Sequence, residues 1–174
     1  SLIQKNDHVY SDEFNHASLI EACKMTGAKI TIFKHNDMSD LNSKIKTDSK
    51  RKFIITEGIF SMDGDSADLK IISEISQKHD AITILDDAHG DFIIGKDGRG
   101  SANYFGVEKK IDIYTSSLSK GLGSFGGYIA SQKNVIELSI NKSKSFIYTS
   151  ALPSLFIDDA IKRFDSDREK RRKQ

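Results

Sequence analysis

The sequence predicts an α/β domain on a mainly parallel sheet, and three observations carry that prediction. Short β-branched runs alternate with segments of helical apolar spacing along the whole chain, the pattern of a sheet flanked by helices. Most of these runs are continuously apolar, as strands buried on both faces are. The polar residues with chemical potential collect just after the runs, where open α/β sheets bind ligands.

Taken in order, strands are predicted at 29–33, 53–56, 81–85, 111–115 and 127–130. Apolar residues at helical spacing predict helices at 17–25, at 69–79 through Leu69, Ile72 and Ile75, and around 135–140. Pro153 stands where a proline can open a helix running towards Phe164. Glu57 and Ser61 follow the second predicted strand, Asp86 and His89 the third, and Ser117, Ser119 and Lys120 the fourth. An acid, a histidine, hydroxyls and a lysine are thereby offered to one crevice.

At 174 residues the chain suits one domain with a real core, and no composition break divides it. With 37% hydrophobic and 29% charged residues it reads as globular, and no run approaches the roughly 18 apolar residues of a membrane span. Residues 1–10 are polar and lack the pattern of a secretory leader, so a cytoplasmic protein is expected. A net charge of +1 gives no field that favours nucleic acid or an anionic membrane. In the tail, Arg168, Lys170, Arg171, Arg172 and Lys173 alternate with Asp165, Asp167 and Glu169, which predicts a solvated helix face. The single cysteine, Cys23, excludes an internal disulfide and reads as a small buried hydrophobe. A start at Ser1 and a stop inside a charged run predict a fragment of something longer.

The segment Ile111-Asp-Ile-Tyr-Thr-Ser-Ser-Leu-Ser-Lys120-Gly-Leu-Gly-Ser-Phe-Gly-Gly127 is the most informative. Gly121-x-Gly123-x-x-Gly126 matches the dinucleotide fingerprint, but that motif opens a helix and here a strand follows. A P-loop fails because its lysine follows the glycines, whereas Lys120 precedes them. In Leu85-Asp-Asp-Ala-His-Gly90 an apolar strand delivers two acids and a histidine. A carboxylate there can hold a cation such as a protonated pyridine nitrogen in a low-dielectric cleft. Metal binding by Asp86, Asp87 and His89 is the rival reading, yet successive residues of an extended chain face opposite ways, so the two acids are not expected to share one ion. A structural pair of capping acids is the bland alternative. His16 at a helix start reads by itself as a cap, and the loop from Glu57 to Asp65 is silent in isolation.

Together these motifs resemble the α-oxoamine synthases. The likeness rests on Thr56-Glu-Gly-Ile-Phe-Ser-Met-Asp-Gly-Asp65, Leu85-Asp-Asp-Ala-His-Gly90, Gly95-Lys-Asp-Gly-Arg-Gly-Ser101, Ser119-Lys-Gly-Leu-Gly123 and Gly126-Gly-Tyr128, and runs in order from about residue 7 to about residue 153. It implies the large-domain core of the fold-type I pyridoxal-phosphate transferase fold over 1–153, and over 154–174 a helix leading towards an absent small domain. It further implies condensation of an amino acid with an acyl-coenzyme A with loss of carbon dioxide, in a homodimer that shares its active site.

Residue by residue, the resemblance makes Lys120 the Schiff-base lysine and Asp86 the partner of the pyridine nitrogen. His89 would bond the ring hydroxyl oxygen, and His16 would stack on the cofactor ring and serve catalysis. Ser61 would lie near the cofactor and Ser117 would bind its phosphate. Ser150 would reach the phosphate of the neighbouring subunit. Three departures stand out. Ser117 replaces a common threonine, Pro153-Ser154 replaces a proline pair, and Asp91-Phe92 alters the wall beside His89-Gly90. Family members are also considerably longer, so this chain alone is expected to be inactive or nearly so. A non-catalytic binding or dimerisation module with the same fold is the alternative of another class.

Overall fold

In a computed structural model describing residues 2–45 and 51–166, six strands form one sheet. They are β1 His8–Asp12, β2 Lys29–Phe33, β3 Lys52–Glu57, β4 Ala81–Asp86, β5 Ile113–Ser117 and β6 Gly127–Ser131. Their order is β2-β1-β3-β4-β5-β6, parallel throughout except for β6, which runs antiparallel to β5 at the edge. The helices are α1 Ala17–Thr26, α2 Met38–Lys44, α3 Leu69–His79, α4 Gly100–Tyr104, α5 Lys133–Lys142, α6 Lys144–Ile147 and α7 Ser154–Asp165. The expected mainly parallel α/β sheet is the one observed. The tail from Asp167 onward lies outside the described residues, so the solvated-face reading there has no structural counterpart.

Helix ends follow local chemistry. Asp68 caps α3 by accepting from the Ile71 amide at 3.1 Å, and α3 buries the apolar stripe that predicted it: Leu69, Ile72 and Ile75. Gly27, in the left-handed region at φ 68°, ends α1. Pro153 stands at the N-cap of α7. The short α2 escapes a periodicity search because only Leu41 is buried in it.

Strand alternation sorts the core onto two faces. Tyr10, Phe33, Ile54, Leu69, Ile72 and Leu85 fill one side, and Val9, Cys23, Phe53 and Ile55 fill the other, with Ile82 and Ile84 packed against them. Cys23 is buried in this second cluster, as its composition reading expects. Among the described residues no helix is long and apolar enough to cross a membrane.

Two strand readings need correction. The first is β1, which lies second in the sheet yet was not predicted. His8, Ser11 and Asp12 are buried there, and the polarity of the strand hid it. Its polar groups are satisfied instead of solvated: His8 Nε2 bonds Thr31 Oγ1 at 2.7 Å and Asp12 Oδ1 accepts from the Phe14 amide at 2.9 Å. The second is β5, which begins two residues later than predicted and extends to Ser117, because residues 108–110 form a 3-10 turn and antiparallel pairing with β6 sets its end at Ser117 opposite Gly127.

Candidate functional site

Parallel register builds the site. Glu57 of β3 pairs with Asp86 of β4, and Asp86 with Thr115 of β5, so three strand ends stand side by side. Glu57 and Asp86 are in phase with Phe53, Ile55, Ile82 and Ile84, so their side chains emerge on the face that carries α1. There a cavity of about 260 Å³ is lined by His16, Ser18, Glu57, Asp86, Ala88, Thr115, Ser116, Ser117 and Lys120. His16, Asp86, Ser117 and Lys120, all singled out from sequence, thus meet in one place.

Lys120 Nζ lies 2.6 Å from His89 Nε2. An ammonium only donates, so with Lys120 protonated Nε2 is the acceptor and the ring is neutral. Burial, followed by the neighbouring Lys120 charge, holds the His89 pKa below its ordinary value. The Asp86 carboxylate accepts from the Ala88 amide at 3.0 Å, which fixes it at the turn out of β4. Ser117 Oγ lies 2.7 Å from Ser119 Oγ and accepts from the Ser119 amide, grouping hydroxyls beside Lys120. His16 is the N-cap of α1, its Nδ1 accepting from the Ser18 amide at 3.2 Å.

The set is chemically complementary. A carboxylate suits a cationic ring nitrogen, a lysine amine suits a carbonyl carbon, and clustered hydroxyls suit a phosphate or carboxylate. Ser61 stands exposed in the loop after β3, and Ser150 exposed between α6 and α7, and neither lines this cavity.

Thr115 is a wall residue that the sequence reading did not name, and Glu57, named there only as an acid at a strand end with no role given, takes its place in the same wall. Glu57 is only 3% exposed. Burial raises its pKa, with the Asp86 charge acting in the same direction and the His16 amide against it. The signal for Glu57 was its phase with Phe53 and Ile55, which becomes informative only once β3 is paired with β4.

Asp87, one residue past Asp86, turns to the opposite face. It is fully buried and accepts from the Ser101 amide at 2.7 Å, Ser101 Oγ at 2.7 Å and the Tyr114 hydroxyl at 2.6 Å. A Cβ at Gly58, Gly90 or Gly100 would lie 2.2, 2.2 or 2.1 Å from its carboxylate oxygens. Three motif glycines, distant in sequence, therefore wrap one buried acid. Asp86 and Asp87 do not converge on a common point, which removes the geometry that a metal site built on both would need.

Residues 1–173 match the family profile described as Aminotransferase class I and II. An 8-amino-7-oxononanoate synthase of Thermoanaerobacter pseudethanolicus is 41% identical over 164 residues, 92% of this chain and 42% of the relative. The fold superposes with a TM-score of 0.88 on a serine palmitoyltransferase variant from S. paucimobilis with a bound PLP-myriocin adduct, at 30% identity over 93% of this chain and 41% of that one. It superposes with a TM-score of 0.83 on the 8-amino-7-oxononanoate synthase from Francisella tularensis, at 32% identity over 94% of this chain and 47% of that one. The chain thus spans less than half the length of these proteins.

Proposed function

Because the chain belongs to the class I and II aminotransferase family, and within it to the α-oxoamine synthases, we propose that it is the pyridoxal-phosphate-holding core of an enzyme joining an amino acid to an acyl-coenzyme A with release of carbon dioxide. The reaction of 8-amino-7-oxononanoate synthase comes first, supported by curated relatives of that name at 41% and 44% identity and by the likeness of Leu85-Asp-Asp-Ala-His-Gly90 and Asp63-Gly-Asp-Ser-Ala67 to that branch. Glycine C-acetyltransferase is the second reading. The observation that carries the proposal is the meeting of Lys120, Asp86 and His16 in one cavity, with His89 against the lysine amine.

When bound, pyridoxal phosphate supplies an electron-poor ring that stabilises negative charge at the amino-acid α-carbon. The chain's own residues would divide the remaining work. Asp86 holds positive charge at the ring nitrogen, and Ser117 offers a hydroxyl to the phosphate. His16 covers the ring from the start of α1, and neutral His89 stands next to the amine. The Lys120 amine would hold the cofactor and, as general base, would take and return the α-proton at Nζ.

A homodimer belongs to the same proposal, with Ser61 near the cofactor and Ser150 serving the neighbouring site. The apolar side chains of Phe146, Leu155, Ile157 and Ile161 are exposed here, which supports their burial by further chain or a second copy. The boundary at Pro153, with α7 leading towards a further domain, and a cytoplasmic setting are proposed with it; a lone buried cysteine suits that setting. The test is to add pyridoxal phosphate, reduce with borohydride and map the modified peptide. Selective label on Lys120, lost in Lys120→Ala, is expected. Label spread over surface lysines in the full-length parent would sink the cofactor reading and leave the non-catalytic module.

A further inference from the structure

The N-terminus of α1 carries His16 over the site, and its capping is unusual in one respect. In a capping box the third helical residue reaches back to the amide of the N-cap residue. In α1 that third residue is Leu19, which has no acceptor to offer. The acceptor comes instead from the neighbouring strand β3, where Glu57 Oε1 accepts from the His16 backbone N–H, 41 positions away in sequence.

The same loop is docked independently by Asn15. Its Nδ2 donates to Ser11 Oγ at 2.9 Å and to the Ile55 carbonyl at 2.8 Å, tying the approach to α1 onto β1 and β3. Asn15 therefore fixes where the loop lies, and Glu57 fixes the residue that bears the ring. The ring is held at its other end by Ser18, whose amide and hydroxyl both meet Nδ1. That leaves Nε2 and the ring face as the parts of His16 available to a ligand. Lys120, the nearby cation, hydrogen-bonds His89 and acts on Glu57 only through its charge, a smaller influence there than the His16 amide.

We propose that Glu57 is a positioning residue of the site, acting through the His16 amide to hold the His16 ring in place above the Asp86–Lys120 cavity. This rests on the pyridoxal-phosphate reading and adds to it a residue whose contribution is geometric. A carboxylate at the end of β3 couples the helix on one face of the sheet to the strand ends that supply Asp86 and Ser117. It lets the ring be pre-organised before the cofactor arrives, so cofactor affinity should depend on it.

The experiment measures pyridoxal-phosphate affinity together with amide exchange at His16 in the cofactor-free protein. Glu57→Gln retains an acceptor at the same reach, whereas Glu57→Asp keeps the charge but draws the acceptor back by one methylene. Glu57→Ala and Glu57→Asp are both expected to weaken binding about tenfold, the scale of one lost charge-assisted hydrogen bond, with Glu57→Gln recovering most of it. In a His16→Ala background the Glu57→Ala change should add less than about twofold, since the pair acts as a unit. The His16 amide should exchange faster in the Ala and Asp variants than in the Gln variant. Equal losses in Gln and Ala would show a charge role and overturn the proposal, as would an undiminished Glu57 effect without His16. If Glu57→Ala does not fold, the contrast between Asp and Gln decides. A wild-type protein that takes up no cofactor would defeat the functional reading, while an unchanged His16 amide would defeat the Glu57 link itself.

Discussion

Replacing Asp87 separates two effects that the structure combines, the cost of burying a charge and the benefit of its three hydrogen bonds. Burial pushes the Asp87 pKa up from 3.8 to about 6, against the opposing pull of the Tyr114 and Ser101 donors. At about 1.4 kcal/mol per pH unit, that rise corresponds to roughly 3 kcal/mol. The folded chain holds the proton more tightly than the unfolded chain does. The associated stability is therefore fully present below about pH 4 and is lost as pH rises through about 6. Asp87→Asn keeps every partner. Its carbonyl oxygen can replace Oδ2 and accept from the Ser101 amide and Tyr114, while its amide donates to a rotated Ser101 hydroxyl. Asp87→Ala leaves the Ser101 amide and Tyr114 hydroxyl unpaired in a buried space, at about 1–3 kcal/mol each. Urea unfolding followed by circular dichroism at neutral pH should place Asn within about 1 kcal/mol of the parent, or above it, and Ala about 3–5 kcal/mol below. An Asn variant as damaged as Ala at neutral pH would refute the reasoning, because it would make the charge itself the stabilising element.

Two further predictions use the same assay. His35 stands between Asp12 and Asp65, with both ring nitrogens 2.8 Å from carboxylate oxygens; burial pulls its pKa down, but these hydrogen bonds outweigh that and leave it raised. Its contribution is complete below the ordinary histidine pKa and fades as pH rises through the raised one, so the urea midpoint should fall across that window and His35→Gln should flatten the slope; an unaltered slope would rule the contact out as its source. Arg51 grips buried Asp7 through Nε at 3.0 Å and Nη2 at 2.6 Å. Arg51→Ala should destabilise by about 2 kcal/mol, less than a fully buried pair because the guanidinium is partly solvated; a change below about 0.5 kcal/mol would reduce the contact to a surface pair.

How much of this was legible varies residue by residue, and the cause is whether local chemistry or distant neighbours fix the outcome. The stripe of Leu69, Ile72 and Ile75 specified α3 because helical periodicity is a local property, and the bounds 69–79 are those observed. That Lys120 and Asp86 would stand together beside one cavity was legible because a strand end followed by a hydroxyl- or glycine-rich turn marks the ligand edge of an α/β sheet. Burial of polar groups was not legible. β1 was missed because His8, Ser11 and Asp12 read as solvated until Thr31, Asn15, His35 and the Phe14 amide supply their partners. Glu57 and Asp87 mark the limit most clearly. Sequence shows each as an acid near a glycine. Only the register of β3 against β4 turns Glu57 towards His16, and only the folded path of the chain brings Gly58, Gly90 and Gly100 around Asp87. The sequence by itself determined the fold class, the chemical cast of the site and the strand ends that carry it. The tertiary structure alone decided which acid faces the cavity and which is sealed beneath the sheet, because adjacent residues leave a strand in opposite directions and their partners come from far along the chain.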